Sequence, residues 1–407
     1  MSTLSLVFAI LLLIVGICGV LWSSLTKRWA LFILSLSLEF KIVLFFILQT
    51  GLKYSFVLDS LKYKQDAWEL AKSWITNSPI QINRINDYSK LMAGVMYLFG
   101  NTPNLCALTN IIVSTGLLFM LWRIAVEWVP QSKGYFTLTT AALYPSLNVW
   151  SVSDIKDPLF LFGSMLLIWS WIHIFLRQGP TAKKILWCVA AVAGFTMAAL
   201  LRAYLAEALL FCLVTGILLC ILTKIFSPLK TMAFISIGVL SVIVLISQIY
   251  PVSFYQSLAA IQHMRLTFTN LGQYDFAKSS FLLNYHLSSL SSALLFLPRA
   301  LCYYLFAPFP WSVTSKVQAA ALFESVPFWI LFCFIFRGIL RAGQVSPAQT
   351  FLLLWCAVSL AVPQAIVISN VGTLFRHRTI VILILFTFLD WNQKQLNITR
   401  PNRIEGR

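Results

Sequence analysis

Apolar positions come in long runs separated by short polar segments, from the first residues to near the end of the chain. A helix needs about 20 consecutive apolar residues to cross a bilayer. The runs predict membrane helices near 4–23, 29–51, 103–124, 134–151, 157–176, 185–201, 204–223, 231–250, 325–341, 348–369 and 378–391. In lipid, backbone polar groups must bond internally, and the two-residue alternation of a barrel is absent. The predicted fold class is therefore an all-α polytopic membrane protein with about 11 transmembrane helices, in one integral domain over 1–403. Residues 288–307 break the pattern, because Pro298 and Arg299 interrupt an apolar stretch. Counted as a span, they would put Arg337 and Arg341 outside, so they read as an interfacial or re-entrant element on the outer face.

Polar positions carry a second pattern. In the loop 52–102, Ala67, Trp68, Ala71, Trp74 and Ile75 recur at helical spacing within "QDAWELAKSWI". One such stripe suits an amphipathic helix lying in the interface. A second short helix is expected at 88–100, ending at Gly100.

Composition strengthens this picture. The chain is 59% hydrophobic and 11% charged, with a mean hydropathy of +0.83, whereas soluble domains carry roughly a quarter charged residues. The net charge of +17 does not indicate a nucleic-acid partner. Its basic residues lie in short segments between the runs: Lys27/Arg28, Arg123/Lys133, Arg177/Lys183/Lys184, Lys224/Lys230, Arg337/Arg341 and Lys394/Arg400. That is the positive-inside pattern, and it predicts an outer N-terminus and a cytoplasmic C-terminus. The 8 cysteines show no CxxC spacing and read as small buried apolar residues, not a disulfide framework or zinc site. The first run lacks a basic start and a cleavage site, so it reads as a retained helix. "IEGR" at 404–407 resembles a protease-recognition remnant.

This topology leaves three sizeable outer pieces, 52–102, 251–324 and 369–378, and a short turn at 151–158. Eight of the 13 acids fall there, together with arginines that oppose the orientation signal. A phosphorylated, anionic substrate at the membrane surface would account for those arginines.

Asp59 is the first chemical candidate, eight residues beyond the second span. It suits a general base or a metal ligand, although Asp59–Ser60 would also serve as a helix N-cap. Asp59, Tyr63 and Ala67 reproduce D-x-x-x-Y-x-x-x-A in the first outer loop. This resembles the GT-C glycosyltransferases, polytopic enzymes that use polyprenyl-phosphate sugars and often carry DE-x-x-Y-x-x-x-A there. The resemblance implies that Asp59 is the catalytic base or coordinates a metal, and that two interfacial helices share its loop. Two features differ: Ser60 stands where a second acid is common, and one helix precedes the first core helix.

The turn in "LYPSLNVWSVSDIKDPLFLF", 143–162, is similar to bacterial polysaccharide-assembly members. There a second-loop acid can join the active site and a lysine can meet the lipid phosphate, which carries over to Asp154, Lys156 and Asp157. A solvated turn that ends two helices is the alternative. The resemblance implies a bacterial inner-membrane location, a polyprenyl-phosphate-linked sugar donor, and a glycan or lipid acceptor. No cofactor is demanded, and a divalent metal at Asp59 stays open.

Arg202 lies near an outer boundary within apolar sequence, where an unpaired arginine costs at least ~2.5 kcal/mol. Either Glu207 pairs with it or it binds phosphate. Glu39 and Lys41 are expected to face the bundle interior. Arg265, His263 and Arg299, with nearby aromatics, are candidates for a sugar-acceptor groove, and "PFPW" at 308–311 for a rigid extended turn. Arg376, His377 and Arg378 form a cationic cluster suited to a mono- or diphosphate, with headgroup snorkelling as the alternative. The leading expectation is a glycosyltransferase. An O-antigen polymerase or ligase, needing no first-loop acid, is second, and a lipid or solute transporter third.

Overall fold

The computed structural model describes residues 3–25, 28–50, 58–78, 85–102, 104–127, 131–177, 179–222, 256, 258–265, 280–282 and 285–389. Among them the regular elements are helical, with no strand beyond one isolated bridge, Ser280 to Asn370. The expected span at 231–250, most of 251–279 and the tail from 390 lie outside the described residues.

The first half of the chain gives α1 (Thr3–Leu25), α2 (Trp29–Thr50), α3 (Leu58–Thr76), α4 (Asp87–Phe99) and α5 (Asn104–Ala125). Next come α6 (Gln131–Ala142), α7 (Pro145–Ser151), α8 (Asp157–Trp171) and α9 (Thr181–Leu222). A π turn, Ile172–Leu176, extends α8. The C-terminal part supplies α10 (Leu290–Phe306), α11 (Lys316–Val345), α12 (Pro347–Val367) and α13 (Val371–Phe386). Seven of these helices are long and apolar enough to cross a membrane: α1, α2, α5, α8 with its π turn, α9, α11 and α12. Their outward faces expose large apolar side chains, such as Val15, Leu186, Val189 and Val192. An apolar belt of that extent is a lipid-facing surface.

At 1.5 Å per residue, a straight α9 would be about 63 Å long, twice the hydrocarbon thickness. It is not straight. Arg202 leaves helical geometry, with φ −151 and ψ 72. Before the bend, Trp187 stacks on His173 at 4.3 Å. After it, the Leu213 carbonyl accepts from Trp171 Nε1 at 3.1 Å. Both contacts involve the far end of α8, whereas Arg202 itself pairs with Asp157 at the start of α8. The chain therefore doubles back at Arg202, and α9 is a helical hairpin whose limbs match the expected spans near 185–201 and 204–223.

The rising limb packs backbone to backbone against α8. A Cβ on Gly163 would lie 2.8 Å from the Gly194 carbonyl oxygen, and one on Gly194 would lie 2.7 Å from that of Gly163. Small residues at such a crossing let two helices approach closely where lipid supplies no hydrophobic drive between them. This contact fixes the height of the bend relative to the start of α8.

The structure corrects three expected elements. The span at 134–151 is two short helices, because Pro145 opens α7 and Tyr144 before it is extended. The turn at 369–378 is largely helical: Asn370 caps α13, accepting from the Gly372 N–H at 2.8 Å. "PFPW" ends in a 3-10 turn, Pro310–Ser312, and is not extended throughout. The element at 288–307, read as interfacial or re-entrant and not as a span, is one 17-residue helix that contains Pro298 and is capped by Ser289, shorter than the seven long helices. The two helices expected in the 52–102 loop form as α3 and α4 and pack through Trp74 and Tyr97, 5.9 Å apart.

Candidate functional site

Two helix starts, the α9 bend and the second turn of α13 deliver charged side chains to one place. Asp59 lies in the first turn of α3, so it is not the N-cap that its neighbour Ser60 hinted at. Asp157 opens α8, with Pro158 in the first turn. A carboxylate there is favoured by the helix dipole, and proline by its missing N–H.

Arg376 bridges the two acids. Its Nη1 donates to Asp59 Oδ2 at 2.6 Å. Its Nε and Nη2 donate to Asp157 Oδ2 at 3.2 and 2.8 Å. Arg202 Nη2 donates to Asp157 Oδ1. Arg202 Nη1 meets His377 Nε2 at 2.6 Å. A guanidinium can only donate, so that His377 nitrogen carries a lone pair. Asp157 is buried between the two guanidiniums, while the Asp59 side chain keeps 50% of its surface. The expected pairing of Arg202 with Glu207 does not form: Arg202 leaves the helix at the bend and turns to α8, and Glu207 is exposed on the other limb.

Lys156 is half-buried beside this cluster. Burial first, and the charge of Arg202 next, draw its ammonium below the usual lysine pKa. Two carboxylates, Asp59 and Asp157, thus face three cations, Arg202, Arg376 and Lys156, leaving one positive charge in excess. That balance suits an incoming anion.

Asp154 has a supporting position. It is buried 2.6 Å from Lys64 Nζ. Burial pushes its carboxyl pKa up, and the Lys64 charge opposes that shift. The pair ties α3 to the turn before α8 and so holds Asp59 near Asp157. Asn110 Nδ2 clamps the same turn, donating to the Ser153 and Ile155 carbonyls, each at 2.9 Å. Sequence reasoning missed Lys64 and Asn110, although a polar amide inside a span is itself a signal. Tyr63 packs edge-on against Tyr88 at 5.5 Å, and Ala67 is fully buried. Spaced by four residues, Asp59, Tyr63 and Ala67 share one helix face. Tyr63 and Ala67 seat that face on its neighbours, and Asp59 stands at its exposed tip. Burial first, then the Asp59 charge, pushes the Tyr63 hydroxyl pKa up.

The cationic cluster at 376–378 does not act as one patch. Successive helical residues point about 100° apart, so α13 sends the three side chains to different partners. Arg378 is fully buried and donates to Glu324 Oε1 at 3.0 Å and to the Ala307 carbonyl at 2.6 Å. Glu324 also accepts from Tyr144 Oη at 2.5 Å and from the Ser146 N–H at 2.8 Å. Arg378 is therefore a structural tie between α13, α11 and α7, and the headgroup-snorkelling alternative fails for it too.

Arg265 is likewise removed from the expected acceptor groove. It is buried, stacks 4.3 Å over Phe296 and donates to the Leu282 carbonyl. Arg299 is exposed instead, at a cavity of about 480 Å³ near the start of α13. Lys41, as expected, faces inward, donating to Ser114 Oγ at 2.9 Å. Glu39 lies against Gly16 of α1, where an added Cβ would come within 2.8 Å of its Cγ.

An apolar cavity of about 500 Å³ reaches His377. It runs between the falling limb of α9 and α12, with Leu205, Ala208, Leu360, Pro363 and Val367 in its walls. A divalent metal does not fit between Asp59 and Asp157, because the Arg376 guanidinium already fills that space with three donors. Among the described residues no three His, Cys, Asp or Glu side chains converge as metal ligands. Comparison of the sequence with protein-family models and with curated proteins gave no match.

Proposed function

We propose that this chain is a membrane glycosyltransferase that moves a sugar from a polyprenyl-phosphate or -diphosphate donor to a glycan or lipid acceptor at the outer face. One observation carries the reading: Asp59 and Arg376, 317 positions apart, meet at 2.6 Å. A half-exposed carboxylate in contact with a cationic cluster provides the two groups that such a transfer needs. Asp59 accepts the proton of the acceptor hydroxyl. The acceptor oxygen bonds to the sugar C1 as the C1–O bond to phosphate breaks, and the polyprenyl (di)phosphate leaves with the electron pair. Lys156, supported by Arg202 and Arg376, offsets the charge growing on that phosphate. The apolar cavity beside His377 suits the first isoprenoid units of the donor.

In this reading the chain crosses eleven times, with α6 and α7 together making the crossing at 134–151, its N-terminus outside and its C-terminus in the cytoplasm, and resides in a bacterial inner membrane. The helix α10 lies on the outer face. A transporter is disfavoured, since the charges gather at helix ends and the bend and not across a midplane site.

Asp59→Asn tests the proposal. With membranes and a polyprenyl-phosphate sugar, transfer to acceptor should fall at least about 100-fold. Full activity in the variant would overturn the general-base role and favour a polymerase or ligase, which needs no acid at this position.

A further inference from the structure

The cavity of about 480 Å³ near the start of α13 contributes nothing to the bond-breaking steps above. Its walls include Ser280, Tyr285, Arg299, Tyr303, Ser312 and Gln318. The guanidinium of Arg299 lies 5.3 Å from the Tyr285 ring centre and 5.9 Å from that of Tyr303. Tyr303 in turn stacks on Phe281, at 5.6 Å and 21°. No Asp or Glu lines the cavity among the described residues, and Arg299 forms no salt bridge among them. The site thus combines a planar cation that donates to the Tyr285 and Tyr303 side chains and meets no acid among the described residues, aromatic rings, and the Gln318 amide.

Its wall is braced. The Phe281 N–H donates to the Ser369 carbonyl at 2.9 Å. Arg265 donates to the Leu282 carbonyl, and Ser369 Oγ donates to the Arg265 carbonyl at 3.2 Å. Residues 280–282 are therefore held against the start of α13. Val371 lines the cavity, and Arg376 is five residues further along α13, about 7.5 Å of helix rise. A chain of one or two sugar rings would cover that distance.

From this geometry we infer that the cavity binds an acidic saccharide, a sugar bearing a carboxylate, as the acceptor end of the substrate. Aromatic rings take the apolar face of a pyranose, and the Arg299 fork takes a carboxylate through two parallel hydrogen bonds. The Tyr285 and Tyr303 hydroxyls, which accept from Arg299, and the Gln318 amide N–H groups meet the ring hydroxyls. The role as acceptor rests on the glycosyltransferase reading; the binding of an acidic sugar does not.

The test uses the full chain in phosphatidylcholine nanodiscs, with saturation-transfer NMR and calorimetry as readouts. The probes are a hyaluronan tetrasaccharide and its carboxyl-reduced counterpart. The acidic probe should bind at least about tenfold tighter, and Arg299→Gln should remove that preference. Arg299→Lys should keep part of it, through charge without the planar fork. Asp59→Asn should bind the acidic probe like the unaltered protein while losing transfer; transfer that survives D59N overturns the catalytic reading and not this one. Equal affinity for the two probes, or a preference that persists in R299Q, overturns the inference. So does displacement of the acidic probe by nanodiscs made with phosphatidylglycerol, which would assign Arg299 to lipid headgroups.

Discussion

Arg376 commits its guanidinium to two acids at once, and one of them, Asp59, reaches it from the other end of the chain. Lysine could not hold this bridge, since an ammonium is a point charge with no planar fork. Lys156 is different in kind: it is near the cluster but pairs with no carboxylate among the described residues, and its pKa lies below the usual lysine value. The sign follows directly. Only the protonated amine attracts phosphate, so affinity for a polyprenyl-phosphodiester sugar should fall as pH rises through the depressed pKa. A phosphodiester does not titrate at neutral or alkaline pH, and Lys156→Arg should flatten the curve on the alkaline side, below the ordinary lysine value. Calorimetric titration across that range checks it; an unaltered slope in K156R would remove Lys156 from the anion site. Arg378 belongs to stability instead. Arg378→Met strands Glu324 in the interior and should cost about 3–5 kcal/mol, while replacing both partners with apolar residues should cost far less. Thermal unfolding in detergent distinguishes the two variants.

At the scale of elements, the hairpin α9 and its seam with α8 set where Arg202 lies. The seam depends on glycine because the backbones meet: a Cβ at Gly194 would also lie 2.9 Å from the Leu167 nitrogen. Gly194→Ala should force the helices apart by some tenths of an ångström and draw the bend away from Asp157. Transfer should fall at least tenfold in protein that still inserts and remains monodisperse, since misplacement of a reacting group by about 1 Å can cost a hundredfold. Normal turnover in G194A would show that the seam does not control the site. Both limbs of α9 were legible as apolar runs. The break between them was marked by Arg202, a charge that a continuous membrane helix tolerates poorly. Its partner was not legible, because Glu207 and Asp157 are equally plausible in sequence and only the bend chooses Asp157.

At the scale of the whole molecule, the described helices expose apolar belts, and seven are long enough for a bilayer. The proposed topology predicts which ends face outward. In a cysteine-free background, a single cysteine replacing Lys90 on α4 should react with an impermeant maleimide in intact cells. One replacing Lys183, before the rising limb of α9, should react only after the membrane is opened. Labelling of both in intact cells would reverse or break the proposed orientation. The site is a whole-molecule property as well: it requires the starts of α3 and α8, the bend of α9 and the second turn of α13 to lie at one level, as their mutual ion pairs record.

The hydrophobic pattern alone determined that the chain is helical and where most long helices begin and end, because a bilayer imposes length and apolarity residue by residue. Asp59, with Tyr63 and Ala67, was singled out by the resemblance of its D-x-x-x-Y-x-x-x-A spacing to a known first-loop motif, and i, i+4 and i+8 share a helix face whatever the surroundings. Only the tertiary structure decided which arginine meets which acid. Arg376, His377 and Arg378 are adjacent in sequence and equal in local pattern, yet the helical turn points them apart. Pairing between helices hundreds of residues apart depends on their angles and heights, which local spacing does not encode. For the same reason Arg265, expected in a groove, is a buried brace, and Arg299 beside it in the expectation stands open at a cavity.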